Sequence, residues 1–252
     1  FSAAFAAYQQ AAAKGKIDAM EALGELYENG QGTPKDRAKA IEWYALAGEH
    51  GDGISAARAA TLRTLPPEKP QTPAEQIAAL QPLAASGNAD AQLRLALLLG
   101  PTDKTAAIGW LQKSATGGNL EAKLRYAFML VQGKEVPGDA AQGYKLLGEA
   151  ADAGLGLAQF EYGRVLVVGN PAVPANPARG ITYLQKAATQ KVPEAAATLG
   201  EIYERGVGTA VNLKESLTWY QLAVAYGYAQ ARASVDRVQL IMSGKMSPSP
   251  TK

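Results

Sequence analysis

Cysteine is absent from the 252 residues, which removes disulfides and thiolate metal sites. Histidine occurs once, as His50. A zinc site would therefore need a set of Asp and Glu that the spacing does not offer. Ser-His-Asp chemistry would rest on that single ring, and no G-x-S-x-G stretch occurs. His50 reads as a structural or surface residue, and no cofactor is expected. Charge of one sign is also lacking: 25 Lys and Arg face 23 Asp and Glu, which gives no electrostatic case for nucleic acid as a partner. No run of about 18 apolar residues appears, so no membrane span is visible. The chain opens at Phe1 without Met, charged leader or signal-type apolar region. It is expected to be a processed protein or a piece of a longer, membrane-anchored one. What is present is 47% hydrophobic and 19% charged residues, a folded composition and not a disordered one. The length suits one large domain or a stack of small units.

The stack is favoured by an internal period. The residues Gly15, Gly51, Gly87, Gly118, Gly154, Lys191 and Gly227 follow one another at steps of 36, 36, 31, 36, 37 and 36. Four residues after each comes a small residue, as in Ala19, Ala91, Ala158 and Ala231. Nine after come Gly24, Ala60, Ala96, Ala127, Gly163 and Gly200, where small side chains let two helices approach, with Val235 eight after the last anchor. Eleven after come Leu26, Leu62, Leu98, Met129, Val165, Ile202 and Val238. That spacing is one face of a first helix, A, of about a dozen residues.

A second helix, B, has a start signal in Asp36, Thr72, Asp103, Asp139, Asn176 and Asn212, each able to accept from a free first-turn N–H. Pro73 and Pro177 follow two of these caps, at the first helical position. Seven residues after the caps come Trp43, Ala79, Trp110, Leu146, Tyr183 and Trp219, expected on the core face. Helix B then closes on the next anchor, a left-handed C-cap. The short 31-residue step has its deletion in LLLGPTDKTAA, between helices.

The pattern A-x-x-G-x-x-x-A-x-x-x-L-G-x-x-Y-x-x-G-x-G-x-x-x-D-x-x-K-A-x-x-W-Y resembles the Sel1-like repeat, a relative of the tetratricopeptide repeat. Residues 12–44 carry it through Ala12, Gly15, Ala19, Leu23, Gly24, Tyr27, Gly30, Gly32, Asp36, Lys39, Ala40, Trp43 and Tyr44. Residues 188–220 carry it almost as fully, whereas 51–86 lacks the Leu-Gly, Tyr and Trp-Tyr landmarks and holds a Pro-rich connector, LPPEKPQTP. The resemblance implies an all-α, right-handed superhelical solenoid of antiparallel helix pairs. About six units are expected over 15–242. Residues 1–14 would be the second helix of a preceding unit or a cap, with Ala7-Tyr8 where Trp-Tyr would fall. Residues 243–252 should form a disordered tail.

No catalytic pattern survives inspection. Gly30-Gln31-Gly32 and Gly206-Val207-Gly208 look like half of a phosphate loop, but they follow helices and lack a GKS or GKT, so they read as helix-ending turns. The pairs Glu25/Glu28 and Glu201/Glu204 read as solvated helix faces. By the tetratricopeptide resemblance, positions 3, 6, 10 and 13 after each anchor would line a groove. Its middle is apolar: Leu93, Leu97, Leu124, Phe128, Val131, Leu157, Phe160 and Val167, with Arg164 among them; its ends are acidic. Those nine are the expected contacts for a partner peptide or amphipathic helix, with Arg164 pairing a carboxylate. The function expected is that of a non-enzymatic scaffold or adaptor for a protein partner. A bacterial assembly, polarity or signalling regulator, exported or periplasmic, fits the resemblance and the Ala-rich composition. The alternative is a module binding glycan or peptidoglycan fragments, which would need exposed aromatics on the groove.

Overall fold

The computed structural model describes residues 2–65 and 72–247. Most of the connector 65–73, and residues 248–252 of the expected tail, lie outside the described residues. The chain divides into two compact units, 1–122 and 123–252. Among the described residues there are helices and no strands, only one isolated bridge between Asn170 and Val173.

The first unit holds α1 (Ser2–Ala12), α2 (Ile17–Asn29), α3 (Arg37–Glu49), α4 (Gly53–Thr64), α5 (Pro73–Ala85), α6 (Ala89–Leu99) and α7 (Lys104–Thr116). Helix α8 (Leu120–Gln132) begins at its end. The second unit continues with α9 (Ala140–Asp152), α10 (Gly156–Val168), α11 (Pro177–Thr189), α12 (Pro193–Arg205) and α13 (Leu213–Ala225). A single 3-10 turn (Ala229–Ala231) then leads into α14 (Arg232–Met242). Neighbours in sequence pack as pairs: α2 on α3, α6 on α7, α10 on α11 and α12 on α13.

Every expected start of a B helix is capped as the sequence implies. The side chains of Asp36, Thr72, Asp103, Asp139, Asn176 and Asn212 each accept from the backbone N–H three residues on. At Thr72 the Glu75 carboxylate also reaches back, completing a capping box. Every anchor has the predicted left-handed backbone: φ runs from 79° at Gly15 to 105° at Gly51, and Lys191 adopts 60° without being glycine.

Leu146 and Tyr183 are buried as expected, but in every B helix the residue one further on is buried as well, and in the other four it replaces the expected one. Tyr44, Leu80, Leu111, Leu147, Leu184 and Tyr220 are all buried. Trp43, Trp110 and Trp219 are half-buried at its edge, and Ala79 is exposed. The reason is helical phase: Ala40, Tyr44 and Ala47 share a stripe, and position 43 is turned about 100° away from 44. Helix α1 departs from this phase: Phe5, and not Tyr8, lies in its core. Phe5 meets Tyr27 edge-on at 5.4 Å, while Tyr8 is exposed.

The small residues nine after the anchors fit specific partners. A Cβ on Gly24 would fall 2.7 Å from the Tyr44 ring, and one on Gly200 would fall 2.6 Å from that of Tyr220. Ala127 of α8 and Leu147 of α9 belong to one buried cluster. A glycine at this position thus admits either a tyrosine or, as at Gly163 against Leu184, a leucine of the facing helix at close range.

Candidate interaction groove

The faces of α10, α12 and α14 bound a groove of about 1090 Å³ within the second unit. Its floor is apolar, with Phe160, Val167, Ile202 and Ala231. Its walls carry Arg164, Arg205 and Arg237 against Glu161, Glu194 and Glu201. The A-helix positions 3, 6 and 10 after an anchor recur here as Phe160, Arg164, Glu194, Ala197, Glu201, Gln230 and Arg237.

Each wall arginine has a carboxylate of its own. Arg164 lies 3.3 Å from Glu161 and stacks over Phe160, its guanidinium 5.4 Å from the ring centre. Arg205 pairs with Glu201 at 3.1 Å. Arg237 grips Glu204 with two bonds of 2.9 and 2.8 Å, and the Tyr220 hydroxyl donates to the same carboxylate at 2.9 Å. Burial pushes the Glu204 carboxyl up, but the bonds from Arg237 and Tyr220 outweigh it and hold it below its ordinary value. Glu161 moves the other way. Burial raises its pKa, Arg164 partly offsets this, and nearby Glu194 raises it further.

A matching clamp stands in the first unit. The carboxylate of Glu28 accepts from Tyr44 at 3.1 Å and from Arg58, whose bond is the main reason its pKa is lowered. Glu28 and Glu204 are therefore not members of solvated faces; each ties a helix pair to the next A helix. Only their companions Glu25 and Glu201 are exposed. The sequence hides this because the arginine comes from the following repeat, 7 residues after Gly51 in one case and 10 after Gly227 in the other.

The nine residues expected to contact a partner separate into several places. Phe160, Arg164 and Val167 line the second-unit groove, Phe160 and Val167 as buried floor. Leu157 is 53% exposed on the first turn of α10. Leu124 is buried in a cluster with Leu146 and Leu147, and Phe128 packs against that cluster. Val131 is half-buried and meets Gly143 of α9. In the first unit Leu93 is buried, whereas Leu97 is 49% exposed. The expected columns omit Glu161, Thr198 and Ser234, which sit 7 residues after their anchors and also line the groove. A wall two residue columns wide would have found them.

His50 is exposed at the end of α3. No group of three or more His, Asp or Glu among the described residues could hold a metal ion. No helix among the described residues is long and apolar enough to cross a membrane. None of the three tryptophans is exposed: Trp43, Trp110 and Trp219 each pack against a hydrophobic cluster.

The Sel1 repeat model matches residues 17–52, 89–119, 120–155, 156–192 and 193–228. The chain belongs to the Sel1 repeat family, whose repeats generally mediate protein–protein interaction and are generally non-catalytic. Among solved structures, a Sel1 repeat protein from Oxalobacter formigenes is 25% identical with a TM-score of 0.62, over 92% of this chain and 68% of that one. A protective antigen of uropathogenic Escherichia coli with an SLR fold is 24% identical with a TM-score of 0.61. The alignment covers 92% of this chain but only 50% of that antigen. No curated protein matches the sequence.

Proposed function

We propose that this chain is a non-enzymatic adaptor that holds a segment of a partner protein in the second-unit groove. The observation that carries the reading is the groove itself, an apolar floor between mixed-charge walls. The pairs Arg164–Glu161 and Arg205–Glu201 are partly exposed, so each contributes only about 0–1 kcal/mol and can be exchanged for a partner's charges at little cost. A segment with apolar residues facing Phe160 and Ile202, flanked by an acid near Arg164 or a base near Glu194, satisfies both. Of the nine expected contacts, Phe160, Arg164 and Val167 carry this proposal in the second unit. An assembly, polarity or signalling role, and an exported or periplasmic setting, belong to the same proposal.

The test uses two positions that line the groove without being fully buried. Ala197→Arg fills the groove and Arg164→Glu reverses a wall charge. Affinity capture from cells of the source organism, quantified against the wild-type chain, should lose the same partner with both variants while helical content by circular dichroism is unchanged. Retention of every captured protein by both variants contradicts the proposal.

A further inference from the structure

The repeat that departs most from the pattern frames a second groove, in the first unit. No match to the family covers residues 53–88. Helix α5 from this stretch packs on α6, and the turn after α2 reaches the same place, where the Asn88 side chain donates to the Gly32 carbonyl. Tyr27, at the end of α2, lies within electrostatic reach of Asp90 and Arg94 on α6. Between these parts runs a groove of about 600 Å³, within the usual range for a binding site. Its apolar wall is Leu80, Leu83, Leu97 and Leu98, with Ala79 beside them. Both charged side chains that line it, Lys35 and Arg94, are cations.

We infer that this groove docks an acidic amphipathic helix from a protein partner. The apolar wall takes hydrophobic residues at helical spacing, and Lys35 and Arg94 face carboxylates beside that stripe. Charge complementarity selects the sign, since both charged side chains that line the groove are cations. The architecture selects a helix. The walls are helix sides and a tight turn, so their backbone groups are largely bonded internally and cannot pair with an extended strand. A helical occupant satisfies its own backbone and brings apolar groups at i, i+3 or i+4, and i+7. Leu97, 49% exposed, is the side chain most freely presented to it. This site lies in the other unit from the groove proposed above and stands or falls separately from it.

The test is selection of a displayed library of random peptides of about 16 residues on the full chain, with counter-selection on Leu97→Asp. Enriched peptides should carry Leu, Phe or Met at helical spacing with Asp or Glu alongside. Synthetic copies should bind the double variant Lys35→Glu, Arg94→Glu about tenfold more weakly, as loss of two partly exposed ion pairs implies. Copies with Lys in place of the acids should regain affinity for that double variant. Their binding should be unaffected by Ala197→Arg, which separates this site from the second-unit groove. Enrichment of basic peptides, no enrichment over the counter-selected pool, or equal binding by the charge-reversed chain overturns the inference. Leu97 is exposed, and unchanged thermal unfolding of Leu97→Asp establishes that the counter-selection target is folded.

Discussion

At the scale of single residues, Lys191 stands apart. Six of the seven anchors are glycine, and at Lys191 the same left-handed turn is made by an L side chain at φ 60°. That conformation costs about 1 kcal/mol relative to glycine, and the side chain is exposed. Lys191→Gly should therefore raise stability by about 1 kcal/mol in urea denaturation. A decrease would mean that the lysine makes a contact outweighing its strain. The anchors and caps were legible because each is a local event: one residue supplies a φ or an oxygen to its own neighbours. The half-buried tryptophans were misjudged because an i-to-i+1 step on a helix shifts phase by a quarter turn, and composition does not reveal phase.

At the scale of helix pairs, spacing is set by which residues face each other. Gly200→Ala places a methyl against the Tyr220 ring and should cost about 1–3 kcal/mol as overpacking. Adding Tyr220→Leu should recover part of that loss, because it removes the ring that the new methyl meets, and at Gly163 the facing Leu184 already stands farther off, at 3.0 Å. A double-mutant cycle with no coupling between the two changes would refute the facing-pair account. The Glu204 clamp acts at the same scale, joining α12, α13 and α14. Its side chain is only 9% exposed, so Glu204→Ala should cost about 2 kcal/mol. The pH dependence follows in sign. The folded carboxyls of Glu204 and Glu28 lie below their unfolded value. Their contribution is present above the unfolded pKa, about 4.3, and is lost as pH falls through the folded one. Glu161, with its folded pKa raised, has the opposite sign and gains stability on protonation. Urea titrations from neutral to acid pH should show a flatter decline for Glu204→Gln than for the wild-type chain; an identical decline would remove the clamp from the account. The clamps were not legible beforehand, since each needs an arginine from another repeat at no fixed offset.

At the scale of the molecule, the period revealed the repeat class and the family comparison bears that out. The groove position was partly legible. The rule of 3, 6 and 10 after an anchor names much of the second-unit wall, yet it also named Leu93 and Leu124, which are buried. Exposure depends on how closely the neighbouring A helix approaches, a tertiary quantity that one repeat's sequence does not contain. The nearly neutral net charge hides local asymmetry as well: charges of both signs line the groove of the second unit, and the charged residues that line the first-unit groove are both cations.

The most direct test of the adaptor reading is site-specific photo-crosslinking from the groove in living cells. A benzophenone amino acid at Ala197 lies on the groove wall, and one at Thr218, exposed on α13, serves as the reference. The account predicts one dominant crosslinked protein from Ala197, absent from Thr218 and suppressed by Arg164→Glu. No adduct from Ala197, or the same adducts from both positions, would contradict it.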